Sequence, residues 1–357
     1  MKRLFIFLLL FVYCLGSSAQ MKKRQVEYDI TKDRVLYTVG ISHLDTEWRW
    51  GYTTTIDTYL KNTMLENFKH YGTHYWDIDG NKVKKNLDGD DSRVIMDRVL
   101  PFIDDNVAQE NPFIAVVWFH TPHKPCVAGP KHKAMYPDQD LEMQNYAGCI
   151  TAMDEQIGRL REHLEAIKAD KNTMVWFCSD NGPETGVGVS GGFRDRKRSL
   201  YEGGVRVPGI LVWPEKIKMS METDFPAVTS DYLPTIADAV GISSDKLKYE
   251  IDGISLLPML EGKMTERSKP IGLCIGNQLS LNADKYKMYA VGGEVEYYDI
   301  VNDPYETTPL LETKDLKKMT TEMNKMLDSY KGSFQGKEYG TESYQKMEQE
   351  WKTSGLK

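Results

Sequence analysis

Apolar runs and helical stripes alternate along most of this 357-residue chain. Residues 113–119 (Phe-Ile-Ala-Val-Val-Trp-Phe) are continuously apolar, which predicts a strand covered on both faces. Tyr146, Ile150, Met153, Ile157, Leu160 and Leu164 then recur at steps of four and three, drawing one apolar stripe on a helix. Residues 174–178 and 210–213 predict two further buried strands, and residues 231–240 a short helix with Pro234 in its first turn, where a missing N–H costs nothing. An antiparallel pair is predicted near 287–291 and 296–300. Upstream, residues 34–42 predict a strand, and Ile56, Leu60, Met64 and Phe68, four apart, a helix over 52–68. A polar, Gly- and Asp-rich stretch over 72–89 leads into another helix starting near Asp91-Ser92. Strands alternating with helices are the pattern of an α/β domain. The tail from Tyr330, rich in Lys, Glu, Gly and Ser, reads as frayed.

The first residues change that picture at one end. Met1-Lys2-Arg3, an apolar run over 4–15 and Gly16-Ser17-Ser18-Ala19-Gln20 have the layout of an export signal cleaved after Ala19. The run is short of the ~20 residues that span a bilayer, so a periplasmic or secreted protein without a membrane span is expected. A hydrophobic content of 41% allows a full core. The net charge of −7, with signs interspersed, offers no basic stripe and argues against nucleic acid as a partner. Cys14 would leave with the signal. Cys126, Cys149, Cys178 and Cys274 are scattered without Cys-x-x-Cys spacing, so they read as free thiols rather than a zinc ribbon or a disulfide framework.

Three clusters carry candidate chemistry. Ser179-Asp180-Asn181-Gly182 directly follows a predicted strand, and its carboxylate and amide oxygens are hard ligands suited to calcium or magnesium. By itself Asp-Asn-Gly is also ordinary turn chemistry. Residues 197–208 (Lys-Arg-Ser-Leu-Tyr-Glu-Gly-Gly-Val-Arg-Val-Pro) join cations that could grip an anion to a Gly-Gly pair that permits close backbone approach. A charged surface loop is the plainer reading. His120-Thr121-Pro122-His123-Lys124-Pro125 follows another predicted strand, its prolines stiffening a loop that carries two histidines.

In this order the three clusters resemble the type I sulfatases of the alkaline phosphatase superfamily. Asp231-Tyr232-Leu233-Pro234-Thr235, Asp252-Gly253-Ile254-Ser255-Leu256, Tyr298-Asp299-Ile300 and Asp303-Pro304 add to the resemblance, which runs over about 72–311. It implies an α/β fold, an alkaline-phosphatase-like sheet flanked by helices, incomplete at its N-terminal side, with a small C-terminal antiparallel subdomain. It implies that Asp180 and Asn181 are calcium ligands. Lys197 would contact the sulfate and the nucleophile, and His123 would contact the sulfate or protonate the leaving oxygen. Arg206 would organise the loop. A sulfated carbohydrate or an aryl sulfate would be the substrate.

The same resemblance calls for a nucleophile that the sequence does not offer. The family's formylglycine arises from a Cys or Ser opening Cys/Ser-x-Pro-x-Arg, and no cysteine or serine here does so. Covalent catalysis without its nucleophile loses orders of magnitude in rate, so an inactive or nearly inactive protein is expected. The calcium shell would be weak or incomplete. Upstream, His43 and Asp45 lie two apart, on one face of an extended segment, and form half of a metal site. Their surroundings over 34–68 resemble the opening of the α-mannosidases of glycoside hydrolase family 38. The expected organisation is a signal over 1–19, a mannosidase-like fragment over 20–71, a partial sulfatase core over 72–265, a C-terminal subdomain over 266–330 and a flexible tail over 331–357. A fusion near 68–73 is expected with it.

Overall fold

The computed structural model describes residues 5–7, 84, 88–243, 251–333, 349–350 and 353. The chain divides into two compact units, one of Met1–Phe177 with Ile210–Lys218 and the other of Cys178–Gly209 with Met219–Lys357. The expected α/β architecture is present, with a sheet flanked by helices and a separate C-terminal antiparallel sheet.

The first sheet has the order β2-β1-β3-β4, with β1 at Phe5–Phe7, β2 at Ile114–Ala115, β3 at Thr173–Cys178 and β4 at Gly209–Val212. β1 runs parallel to both neighbours, Ile6 pairing with Ile114 on one side and Met174 on the other. It therefore comes from the apolar run that the sequence pattern assigns to an export signal. β2 is shorter than the apolar run over 113–119 suggests, but Phe113, Ala115, Val116 and Val117 are all buried.

Helix α1, Ser92–Ala108, puts Ile95, Met96, Val99, Leu100 and Ile103 into one core with Phe113, Ala115, Val117, Leu160 and Leu164. Helix α2, Leu141–Ala166, begins where the Asp140 carboxylate accepts the N–H of Met143 at 2.8 Å, satisfying an otherwise orphaned donor. Its buried face differs from the predicted stripe. Cys149, Ala152, Gln156, Leu160 and Leu164 are buried, whereas Tyr146, Ile150, Met153 and Ile157 are only half-buried. Small residues set that face: a Cβ on Gly148 would press on the Ala128 methyl and on His132, so the helix seats where its side chains are least bulky.

In the second unit, helix α3 (Tyr232–Ala239) has Pro234 in its first turn as predicted. Strands β5 (Ile271–Ile275), β6 (Gln278–Ala283), β7 (Tyr286–Val291) and β8 (Glu294–Asp299) form an antiparallel meander of four strands, of which only the last two were anticipated. Side chains alternate across it. Met288 and Ala290 join Leu279, Leu281 and Tyr297 beneath Leu316, Met319, Met323 and Leu327 of helix α4, Lys314–Ser333. Tyr289 faces the other way and packs with Tyr298, Ile300, Leu200 and Tyr201. The sheet thus holds α4 on one face and the 200–201 loop on the other.

Candidate functional site

The chain leaves β3 at Cys178 and turns through Ser179-Asp180-Asn181-Gly182. The Ser179 hydroxyl donates to the Asn181 carbonyl at 3.0 Å, and the Asn181 amide donates to the Asp180 carboxylate. The N–H of Gly182 donates to the carbonyl of Gly204 at 2.8 Å, and that of Lys197 to the carbonyl of Pro183 at 3.1 Å. Two segments separated in sequence are thereby laced backbone to backbone, bringing Asp180, Asn181 and Lys197 into one assembly. A Cβ at Gly182 would collide with the Gly203 carbonyl, so this glycine is required by close approach. Asp195 and Arg198, on either side of Lys197, have φ of 64° and 74°, a region that side chains favour little and that is enriched at functional sites.

The Lys197 loop is secured on the Tyr289 face of the second sheet. Gln278 accepts the Leu200 N–H at 3.0 Å and donates to the Arg198 carbonyl at 2.8 Å. Tyr201 stacks on Tyr289 with ring centroids 3.9 Å apart, and the Arg194 guanidinium lies 3.8 Å above the Tyr201 ring. One residue on, Glu202 meets Lys287 at 2.8 Å and Arg206 at 2.6 Å, while Lys287 also pairs with Glu306 at 2.9 Å. Lys287 is 1% exposed. Burial pushes the Glu202 carboxyl up, but Lys287 and Arg206 outweigh it and hold it below the ordinary glutamate value. Burial prevails at Glu306, which is raised. Near the surface, Glu184 accepts the Thr185 N–H and feels the charges of Arg198 and Lys197, which together hold its carboxyl low despite partial burial.

His120 and His123 belong to the other unit, in the loop after β2. His120 is buried and His123 half-buried, with ring centroids 5.4 Å apart. The Thr121-Pro122 and Lys124-Pro125 bonds are cis. Nδ1 of His123 lies 2.6 Å from the Lys124 carbonyl, which can only accept, so Nδ1 carries the proton and Nε2 is the basic nitrogen of the neutral ring. Beneath the loop, the Thr121 hydroxyl donates to the buried Asp90 carboxylate at 3.0 Å, and Ser92 donates to the same oxygen. The other Asp90 oxygen is buried without a hydrogen-bond partner.

Asp90 and the Lys287, Glu202 and Glu306 cluster were not singled out from the sequence. Nor was the fully buried pair of Arg267 and Asp231, bidentate at 2.7 and 2.9 Å. The Asp-Asp-Ser before α1 was legible as a helix start, but its long-range partner Thr121 was not. His43 and Asp45 lie outside the described residues, as do the predicted elements over 34–68. Among the described residues, no group of three or more His, Cys, Asp or Glu side chains is placed to hold a metal, and no helix is long and apolar enough to cross a membrane.

Comparison with known proteins decides the family. The sulfatase family model matches residues 37–242. The chain belongs to the sulfatase family. A second model, N-sulphoglucosamine sulphohydrolase, C-terminal, matches residues 191–333. An ulvan-active sulfatase of Formosa agariphila is 25% identical over 348 residues, 82% of this chain and 67% of that protein. Human steryl-sulfatase is 30% identical over 170 residues, 43% of this chain. The match to this chain spans only 27% of steryl-sulfatase and 52% of another Formosa sulfatase. Among solved structures, Ps i-CgsB has a TM-score of 0.64 at 22% identity, over 84% of this chain and 68% of that one. The PsFucS1 sulfatase of Pseudoalteromonas sp. gives 0.58 at 18% identity, over 78% and 63%. These structural likenesses speak for the fold.

The match from residue 37 corrects the reading of the N-terminal part. Residues 37–68, assigned above to an α-mannosidase start, lie inside the sulfatase match, so the sulfatase resemblance is not confined to a C-terminal portion beginning at 72. A His-x-Asp pair on a strand is a short pattern that many folds produce. The strand and helix predicted around it are equally what a sulfatase sheet requires, so the mannosidase assignment and the fusion built on it fall together.

Proposed function

We propose that this sulfatase-family chain binds the sulfate monoesters of glycans through Lys197 and does not turn them over by the family's covalent route. The observation that carries the reading is the lacing of Lys197 to the turn bearing Asp180 and Asn181, by the Gly182 to Gly204 and Lys197 to Pro183 hydrogen bonds. It joins the backbone that carries one cation to the turn that carries two hard oxygen donors, residue types suited to an anionic ester and a divalent ion. His123, with Nδ1 donating to the Lys124 carbonyl, can donate from Nε2 to a sulfate oxygen or a leaving oxygen only when Nε2 is protonated as well. Calcium, when bound, would neutralise sulfate charge. Asp180 and Asn181 would hold it, but they provide fewer than the ~6–8 oxygens the ion prefers, so weak affinity is expected. Turnover is expected to be absent because no Cys or Ser in the sequence opens the Cys/Ser-x-Pro-x-Arg motif.

A glycan is the favoured carrier of the sulfate because relatives include an ulvan-active sulfatase; an aryl sulfate would offer the same anion. The N-terminal run supports export to the periplasm or beyond. Calorimetry with a sulfated oligosaccharide and its desulfated counterpart, with and without calcium, tests the reading. Binding of the sulfated sugar alone is expected, weakened by Lys197→Ala by roughly 10- to 100-fold, the worth of a ~1.5–3 kcal/mol charge-assisted hydrogen bond. Equal binding of both sugars would refute it. Sulfate release abolished by Lys197→Ala would show that the chain is a working enzyme.

A further inference from the structure

The segment just past the 120–125 loop is seated on α2, the Ala128 N–H donating to Asn145 Oδ1 at 3.1 Å and the Ala128 methyl closing on Gly148, which sets Cys126 beside Cys149. Each is also fixed by a carbonyl: Cys126 donates to Pro122 at 3.2 Å, and Cys149 to Tyr146 at 3.1 Å. Both are free thiols. Cys126 is half-buried and reachable from solvent, whereas Cys149 is 1% exposed. That is the layout of an attacking thiol with a protected partner beside it.

We infer that Cys126 and Cys149 are an oxidisable dithiol whose disulfide ties the histidine-bearing loop to α2. The oxidant is a small-molecule or protein disulfide. The Cys126 thiolate attacks one of its sulfurs, forming a mixed disulfide and releasing one thiol. Cys149 then attacks the Cys126 sulfur and expels the second as a thiol, its proton passing to the departing sulfur. Two protein thiols and one disulfide become one protein disulfide and two small thiols, with no other change in oxidation state.

The electrostatics favour this order. The Cys149 thiol hydrogen-bonding to Cys126 pulls its pKa below the ordinary value against burial, and Lys124 adds to the effect. The same hydrogen bond, with burial, raises Cys149. Sequence spacing alone suggested isolated thiols, because the partners are brought together by the seating of α2 and not by a short motif.

The bond would act on the loop that presents His123, three residues before Cys126. Its formation does not depend on the sulfate-binding reading; only its effect on that binding does. The test is peptide mapping of the full chain by mass spectrometry, without reductant, after incubation with glutathione disulfide. The expected product is a peptide pair joined through Cys126 and Cys149, with both thiols lost together and recovered with dithiothreitol. Cys149→Ser should instead accumulate glutathione on Cys126. Amide exchange over 120–128 should slow in the oxidised wild-type chain. A wild-type chain carrying glutathione on Cys126 with Cys149 still a thiol would overturn the inference, as would pairing of either cysteine with Cys178 or Cys274. Because the mapping uses the wild-type chain, its result holds even where the variant fails to fold.

Discussion

The backbone N–H of Gly182 donates to the carbonyl of Gly204 at 2.8 Å, and there is no room between the two segments for a side chain on Gly182. Gly182→Ala is therefore expected to push the turn bearing Asp180 away from the Lys197 loop, at a cost of about 1–3 kcal/mol typical of overpacking. Denaturant unfolding measures the cost, and calorimetry with the sulfated oligosaccharide should show binding falling with it. An unchanged affinity would mean that the lacing does not position the site.

Lys287 is enclosed by Glu202 and Glu306 in the interior of the second unit. Lys287→Met leaves two carboxylates buried without their cation, and a loss of roughly 3–5 kcal/mol is expected. The double change Lys287→Met with Glu202→Gln removes one stranded charge and should recover part of that loss. Chemical denaturation of the pair, analysed as a mutant cycle, checks the sign.

The fully buried pair of Arg267 and Asp231 is bidentate, and Asp231 also accepts the N–H groups of Ile254 and Val228 at 2.8 and 2.9 Å. Lysine cannot reproduce the planar fork. Arg267→Lys should destabilise the chain measurably, and Asp231→Ala by about 3–5 kcal/mol, since it strands the guanidinium and two backbone donors. A thermal midpoint unchanged in Arg267→Lys would contradict this account.

Acid should release part of the same architecture. Glu202 has a folded pKa below its unfolded value, so its contribution is complete above the ordinary glutamate range and disappears as pH falls through that range to the folded value. Glu306 has the opposite sign: its pKa is raised, so ionising it costs stability as pH rises through the glutamate range toward its folded value. Unfolding free energy measured against pH should therefore fall less steeply on the acid side in Glu202→Gln than in the wild type. A parallel pair of curves would assign the acid loss to other groups.

The parts of the fold set by local pattern were legible in the sequence. β3 is a short apolar run followed at once by Asp180, and α3 carries its proline where a helix tolerates one. The β5 to β6 hairpin was missed although its Gly276-Asn277 turn, with Gly276 at φ 57°, is a recognised signal. The Gly292-Gly293 turn between β7 and β8, at φ 61° and 83°, accompanied the pair that was found. The face of α2 was misjudged because hydrophobicity ranks Ile150 above Ala152, whereas close seating selects the smaller side chain. Asp180, Lys197 and His123 are candidates from residue type, order and family resemblance. The residues holding the Lys197 loop, Gln278, Lys287 and Glu306, are not legible that way, because their partners lie far away in sequence and only the folded sheet brings them into register.

β1 has a consequence for the time course of folding. Ile6 leaves the ribosome well before either of its partners, Ile114 and Met174. Pairings so distant along the chain are slow, since the closure entropy of a long loop precedes any reward from contact. The N-terminal segment must wait through much of synthesis before its place in the sheet exists. Until then the apolar residues of β1 have no neighbour in the sheet, and a chain lacking them would leave the inner edges of β2 and β3 unpaired.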